Sequence, residues 1–547
     1  MIRINQIKVP IMHNQETLKS KIENIIKSKD FTIHKIVKKS IDARDKNELM
    51  YIYTIDIKSK DEKRILNRFV NNNNIMSTNC NDYVINYTNT LDNNISPIII
   101  GAGPAGYFCG LYLARMGFKP VIFERGKKVE ERSKVVEGFW NGNKINPECN
   151  VSFGEGGAGT FSDGKLNTSI KDKNGRISAV IKDFIDFGAP EEIGYLNKPH
   201  IGTDYLKNIL VNMRNEIIRL GGEIHFDSCF MDYQCIENKD SNKNTYIISI
   251  KDNLTGDIKQ YTTSALILAI GHSARDTFKM LNNNKLPMEP KAFAIGVRIE
   301  HPRKMIDAGQ YGTSDNAKHL PAADYKMTFR SSKGRSVYSF CMCPGGMVVN
   351  ASSDENQSVV NGMSNHDRNE INSNSAIVVN VTPDDFNAEG FDKYGVLAGV
   401  EFQKKYEALA YKEGNGSIPV QTFKDYKANV TSTSLGDIKP NIKGSYTLSN
   451  LNNCLPAYVN NAIIEGISYY DTKLSGFGRE DSVLSGIESR TSSPIRILRD
   501  DTFMSTERGI FPCGEGAGYA GGITSAAVDG IKIAEACAAY LLESYNH

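Results

Sequence analysis

At 547 residues the chain is too long for one ordinary hydrophobic core, and its length points to about three domains. A formal net charge of +2 gives no electrostatic case for nucleic acid or an anionic membrane as the main partner, and 40% hydrophobic residues fit a globular protein. Ten scattered cysteines indicate a reducing cytoplasm and no structural zinc or iron–sulfur site, no segment reads as a signal peptide, and runs such as Ala265 to Ile270 are too short to span a membrane.

Residues 1–90 read as a separate small α/β domain. Arg3 to Val9 is a predicted strand, and Leu18, Ile22, Ile25 and Ile26 recur on one face of a helix. Phe31 to Lys38 and Met50 to Ile57 alternate as paired strands, Asp61 to Phe69 follows as a helix and Asp82 to Tyr87 as a last strand. The order β-α-β-β-α-β predicts a ferredoxin-like arrangement. Within it, Ser40 to Arg44 reads as a polar turn, with docking of a protein partner through residues 1–90 as the alternative.

The stretch Ser96-Pro-Ile-Ile-Ile-Gly-Ala-Gly-Pro-Ala-Gly106 organises the remainder of the chain. An apolar β-branched strand runs into Gly101-x-Gly103-x-x-Gly106 and a helix from Pro104 to about Met116. A second strand then ends in Glu124-Arg125, whose carboxylate suits the hydroxyls of a ribose. Together these predict dinucleotide binding, with the pyrophosphate at the helix N-terminus. The only tryptophan, Trp140, reads as packing. Five glycines within Gly154 to Gly164, among them Gly156, Gly157 and Gly159 beside Ala158 and Thr160, suit a loop of free amides that contacts a ligand. Gly271 ends the buried strand Ala265 to Ile270, at the sheet edge where ligands lie.

Between about 276 and 505 the pattern changes to short strands and Gly/Asn turns, which suggests an inserted domain between nucleotide-binding parts at 96–275 and 506–547. Its polar constellation is Arg298, Glu300, His301, Tyr325, Cys341, Cys343 and Arg368, of which Arg298 and Tyr325 are the substrate-anchor candidates. Cys341-Met-Cys343 would place two thiols on one strand face, inert unless redox-active. The nucleotide fold returns at Gly514-Glu515 and Gly521-Gly522-Ile523, before a helix from Thr524 to Leu542.

The fingerprint with Glu124, the strand ending Ala269-Ile-Gly271 and the terminal glycine motif resemble FAD-binding proteins of the glutathione-reductase-like superfamily. The loop Phe153 to Lys165 and His200-Ile-Gly-Thr-Asp204 resemble, more narrowly, a family of bacterial FAD-dependent dehydrogenases of unassigned substrate. The resemblance implies a Rossmann-like FAD-binding domain with an inserted α+β substrate domain. It also implies FAD as cofactor, with Gly101, Gly103, Pro104, Ala105 and Gly106 on the pyrophosphate and Phe230 by the adenine. Glu515 would meet the ribityl chain, Gly522 and Ile523 the flavin pyrimidine edge, and Gly156 to Thr160 the flavin or its phosphates. The expected activity is hydride transfer between a small organic substrate and flavin N5, with NAD(P)H as a transient donor. An NAD(P)H-dependent monooxygenase and a redox sensor are the alternatives. No disulfide-reductase cysteine pair and no second glycine fingerprint are seen, and no catalytic residue is assigned.

Overall fold

The computed structural model describes residues 1–79, 83–89, 96–237 and 243–543. The N-terminal unit pairs its strands in the order Thr32–Asp42, Met50–Lys58, Ile2–Pro10, Ile75–Ser77, all antiparallel, with helices Gln15–Ile26 and Glu62–Arg68. This is the ferredoxin-like order, but its last strand is not the one expected. Ile75 enters the core at 5% exposure, and Ile75–Ser77 pairs with Ile2–Ile4. Residues 83–89 form no strand, and Asp82 lies outside the described residues. The apolar alternation of Tyr83, Ile85 and Tyr87 is satisfied elsewhere, against the core of the following domain, where the Tyr83 hydroxyl donates to Glu535.

The central sheet is five-stranded and parallel, in the order Ile510–Pro512, Leu266–Leu268, Ile98–Ile100, Val121–Phe123, Glu223–His225. Its middle strand is buried on both faces, which is why Ile98 to Ile100 are continuously apolar. Strands Ser228–Ile236, Thr245–Asp252 and Ile258–Thr263 form an antiparallel meander beside it. The fingerprint helix, Pro104–Arg115, packs against the C-terminal helix, Ile523–Leu542, so the two halves of the fold close on each other. A Cβ at Gly530 would lie 2.3 Å from the Ala105 carbonyl oxygen, which sets how close these helices come. Among the described residues no helix is long and apolar enough to cross a membrane.

The inserted part is built on a seven-stranded sheet, ordered Thr328–Arg330, Ser336–Cys343, Asn372–Val381, Phe293–Pro302, Val483–Glu488, Ile418–Thr422, Tyr446–Leu448. Helices Ala398–Glu413 and Ala457–Asp471 share its apolar core. Where the chain enters and leaves this part, Met288–Pro290 and Ile495–Ile497 pair antiparallel and clasp its neck.

The N-terminal unit is keyed into the rest. The Lys39 amide donates to the Tyr195 carbonyl at 2.7 Å, and Asn197 returns a bond to the Lys39 carbonyl at 2.9 Å. Ile11 and Leu49 are buried in the core of the seven-stranded sheet. Replacing Gly530 with alanine is expected to force the two helices apart and to cost about 1–3 kcal/mol, as overpacking does. A lowered urea midpoint would register it, and an unchanged midpoint would contradict this account of the closure.

Candidate functional site

The two glycine-rich stretches face each other backbone to backbone. Gly101 turns at φ +103°, with its Cβ position only 2.4 Å from the Ala269 carbonyl oxygen, so no side chain fits. A Cβ at Gly157, φ +59°, would sit 3.2 Å from Gly103 Cα. The helix after Gly103 starts without a side-chain cap and with Pro104 in its first turn, which leaves its leading amides free. Gly106 plays a different part: its Cβ would lie 1.9 Å from the Gly101 carbonyl oxygen, so it serves helix–strand packing.

Glu124, 5% exposed, accepts backbone N–H from Ala102 at 2.9 Å, Gly126 at 3.0 Å and Gly154 at 2.8 Å. It thus ties the fingerprint turn, its own turn and the glycine loop together, and Oε2, with one bond, keeps capacity for a further donor. Arg125 is engaged by Glu148 at 2.8 Å and Asp276 at 2.8 Å, and its guanidinium lies 4.4 Å from the centre of the Phe153 ring.

Two residues that sequence reasoning passed over hold the glycine loop. Arg132 is fully buried and donates to the carbonyls of Asn150, Val151, Gly154 and Glu155 and to Thr160 Oγ1; burial pushes it down to about 10. Glu155, also fully buried, receives the Tyr107 hydroxyl at 2.6 Å, the Val129 amide at 2.6 Å and Arg214 at 2.7 Å. In sequence Arg132 belongs to a charged helical stretch and looks like a surface residue. This support corrects the expected ligand role of Thr160 and Gly156. Thr160 is 1% exposed and bonded to Arg132 and Glu155, and a Cβ at Gly156 would meet Thr160 Oγ1 at 2.2 Å, so both lie behind the ligand-facing wall.

One cavity of about 520 Å³ runs from the fingerprint to the inserted sheet. Gly101, Gly103, Pro104, Ala105, Glu124 and Arg125 border it, as do Phe230 and Gly271. Gly157, Ala158 and Gly159 border it too, with Glu515 and the segment Gly521, Gly522, Ile523. Gly514 does not; its Cβ would meet that of Ala105 at 2.6 Å, and it serves packing like Gly106. Beyond the adjoining residues of the chain, no atom lies within 4 Å of where a Cβ would stand at Gly521 or Gly522, so this backbone is bare at the start of a 20-residue helix. The Glu515 carboxylate faces the cavity and accepts no hydrogen bond from the described residues. Burial, partly opposed by Lys291, pushes it up to about 7. A bare cradle with an unpartnered carboxylate fits a large ligand rich in hydroxyls and phosphates.

At the inserted end the substrate-anchor expectation needs correction. Arg298 is fully buried and does not border the cavity. Its guanidinium donates to Glu488 at 2.7 and 3.1 Å, Asn374 at 2.6 Å, Asn361 at 3.2 Å and the Cys341 carbonyl at 3.2 Å, which occupies its donors. It positions Glu488 and Asn361, both of which line the cavity. Tyr325 does line it, with its hydroxyl 2.9 Å from Ser375 Oγ. Cys341, φ +41°, sits at a bulge between Phe340 and Cys343 and borders the cavity, while Cys343 Sγ donates to the Cys341 carbonyl oxygen at 3.3 Å; both thiols are free. Glu300 and His301 are buried within the sheet, and burial lowers His301 to about 4. Trp140 is packing, its Nε1 donating to the Asn350 carbonyl at 2.9 Å.

Two buried ionic clusters bind the inserted part to the nucleotide fold. Asp163 meets Arg368 at 2.5 Å and Lys165 at 2.9 Å; burial alone would raise its carboxyl, but these cations hold it well below the usual range. Glu407 bridges Arg275 at 2.8 Å and Arg490 at 2.9 Å. Burial opposes its ionisation, yet the two guanidiniums keep it down at about 2. A carboxyl depressed in the folded state stabilises above its unfolded pKa, and that stability drains away as pH falls through the folded value. Glu407→Gln is therefore expected to lower the urea midpoint at neutral pH and to flatten its fall between about pH 4.5 and about pH 2. A variant with the wild-type acid profile would refute the pairing.

These features define a class: a dinucleotide-binding fold made from two separated chain segments, with an inserted sheet domain over its ligand cavity. Residues 292–491 match the family described as "FAD-dependent protein, C-terminal domain-like", and residues 1–58 match a domain of unknown function. A Clostridium beijerinckii protein, described as uncharacterized, is 46% identical across 100% of this chain and 99% of its own length. The chain belongs to the family of that clostridial protein, an FAD-dependent family, and FAD is its cofactor. Among solved structures, a flavoprotein/dehydrogenase from Cytophaga hutchinsonii is 12% identical with a TM-score of 0.35, over 83% of this chain and 80% of that one. The flavin-dependent brominase Bmp2 is 13% identical with a TM-score of 0.39, over 83% and 81%.

Proposed function

We propose that this protein is a flavoenzyme that moves a hydride between a small organic substrate and N5 of FAD, with the substrate bound beneath the inserted sheet. The observation that carries the reading is the single cavity that joins the glycine cradle to Tyr325, Phe340 and Cys341. Bound FAD supplies the redox chemistry; the protein binds, orients and excludes water. The free amides after Gly103 and the bare Gly157 to Gly159 backbone suit the pyrophosphate. Glu124 Oε2 keeps an acceptor site for the adenosine ribose, near Phe230. Glu515, lacking a protein partner among the described residues, suits a ribityl hydroxyl, and the positive end of the helix that starts at Ile523 would suit a flavin edge that gains charge on reduction. In this reading the N-terminal unit is a wall of the scaffold, because Ile11 and Leu49 belong to the inserted sheet's core.

Denaturation of the purified protein is expected to release FAD, and anaerobic addition of NADH or NADPH to bleach the flavin absorbance. A colourless protein that takes up no FAD would sink the proposal, whereas substrate-triggered oxygen consumption would redirect it to monooxygenation. Loss of a hydrogen bond to a charged group is worth about 1.5–3 kcal/mol, so Glu515→Ala should weaken FAD binding about 10- to 100-fold in a fluorescence titration of apoprotein. Unaltered affinity would remove Glu515 from the cofactor site.

A further inference from the structure

The inserted end of the cavity is not electrically neutral, and the free polar groups that the inserted part itself supplies there are of one kind. Three carboxylates border it: Asp163, Asp324 and Glu488. Each is already matched, Asp163 by Lys165 and Arg368, Asp324 by Lys198 at 2.7 Å, and Glu488 by Arg298 at 2.7 Å. Lys326, itself exposed, borders the same space with no acidic partner among the described residues; with Lys165 and Lys198 also on the wall and Arg298 and Arg368 paired from behind it, five cations stand against these three acids. Of the neutral titratable groups there, burial drives the thiols of Cys341 and Cys343 and the Tyr325 hydroxyl upward, so none adds negative charge near neutrality.

Hydrogen-bond capacity points the same way. Asn361 accepts Arg298 Nη2 at 3.2 Å and the Gly362 amide at 2.7 Å on Oδ1, which turns its two Nδ2 protons over to whatever occupies the cavity. Both Glu488 oxygens are taken by Arg298, and Ser339 Oγ is spent on Met327. What stays free on the inserted part's own wall, Lys326 Nζ and Asn361 Nδ2, only donates, while Asn167 on the facing loop keeps both a donor and an acceptor. Phe340 borders the same space and supplies a flat apolar surface, and the ladder that sets Met327 opposite Ser339 brings it alongside Lys326.

From this juxtaposition we propose that the compartment beneath the inserted sheet takes a small organic acid, its carboxylate held by Lys326 and Asn361 and its apolar body laid against Phe340. The inference rests on the FAD reading above and narrows its substrate to carboxylates. A neutral molecule of the same shape would leave the excess positive charge without a counter-charge and the Asn361 amide unpaired.

The test uses the FAD-loaded full chain and three probe pairs: benzoate, phenylacetate and cinnamate, each with its primary amide. Visible difference spectra of the flavin report occupancy. At least one acid is expected to bind tenfold or more tightly than its amide. Lys326→Met should remove that preference by weakening the acid about tenfold while leaving the amide and the FAD content unchanged. Asn361→Asp, which keeps the acceptor for Arg298 and replaces the free donor with an oxygen, should weaken the acid in the same direction. Acids that bind no better than their amides, or a preference that survives Lys326→Met, would overturn the inference while the flavin remains. A purified chain that holds no FAD would instead bring down the reading beneath it, and the inference with it.

Discussion

The carboxylate of Glu124 is the constraint on which the rest of the site depends. A buried carboxylate has lost its hydration and must recover it from donors supplied by the fold. Here those donors are backbone amides of Ala102, Gly126 and Gly154, three segments that sequence alone leaves independent. Because the donors are main chain, their positions are set by backbone geometry rather than by rotamers. The carboxylate therefore fixes the distance between the fingerprint turn and the glycine loop. With that distance fixed, Gly157 lies against Gly103 and the cavity acquires a narrow, side-chain-free floor.

A floor needs a roof at a defined height. The inserted sheet reaches the nucleotide fold through charged contacts that are largely buried, Asp163 with Arg368 and Lys165, and Glu407 with Arg275 and Arg490. Such clusters contribute little net stability, since desolvation offsets most of their attraction. Their geometry is demanding, however, and a misplaced domain would bury charges without partners. We read them as registration devices, which hold the roof in one position over a cavity that lies between two separately formed cores. The antiparallel clasp of Met288–Pro290 with Ile495–Ile497 limits the rotation that the ionic contacts must resist.

The parts of this architecture that were legible in the sequence are those whose physics is local. Gly101, Gly103 and Gly106 follow an apolar strand and open a helix, and each requirement for a missing side chain is visible in the spacing. Glu515 was legible because the second glycine-rich turn surrounds it, and it faces the cavity. The apolar alternation of residues 83–87 was equally visible but ambiguous, because a half-buried extended segment looks the same whether a ladder or a helix covers it. Arg132 was passed over and Arg298 misjudged for a related reason. An arginine that satisfies five acceptors inside a core has the same local sequence as one in water, and only tertiary structure brings the carbonyls of Asn150 to Glu155, or Glu488, to its side. Helix Ala398–Glu413 hid behind buried polar positions, Gln403 and Glu407, which blur an amphipathic pattern.

The same contrast explains why the inserted end of the cavity can select a charge. Arg298, spent on Glu488, cannot greet a ligand, but by pinning Asn361 Oδ1 it dictates that the amide nitrogen, not the oxygen, faces the open space. Specificity at such a wall comes from the atoms that the core has not already satisfied: an unmet amide penalises an occupant that fails to accept from it, and an unpaired ammonium favours one that brings a counter-charge. The nucleotide end leaves a carboxylate unmet at Glu515, and the inserted end leaves an amide and an ammonium. A hydroxyl-rich chain suits the first and an anion the second, so the polarity of one continuous cavity orders its two occupants along its length.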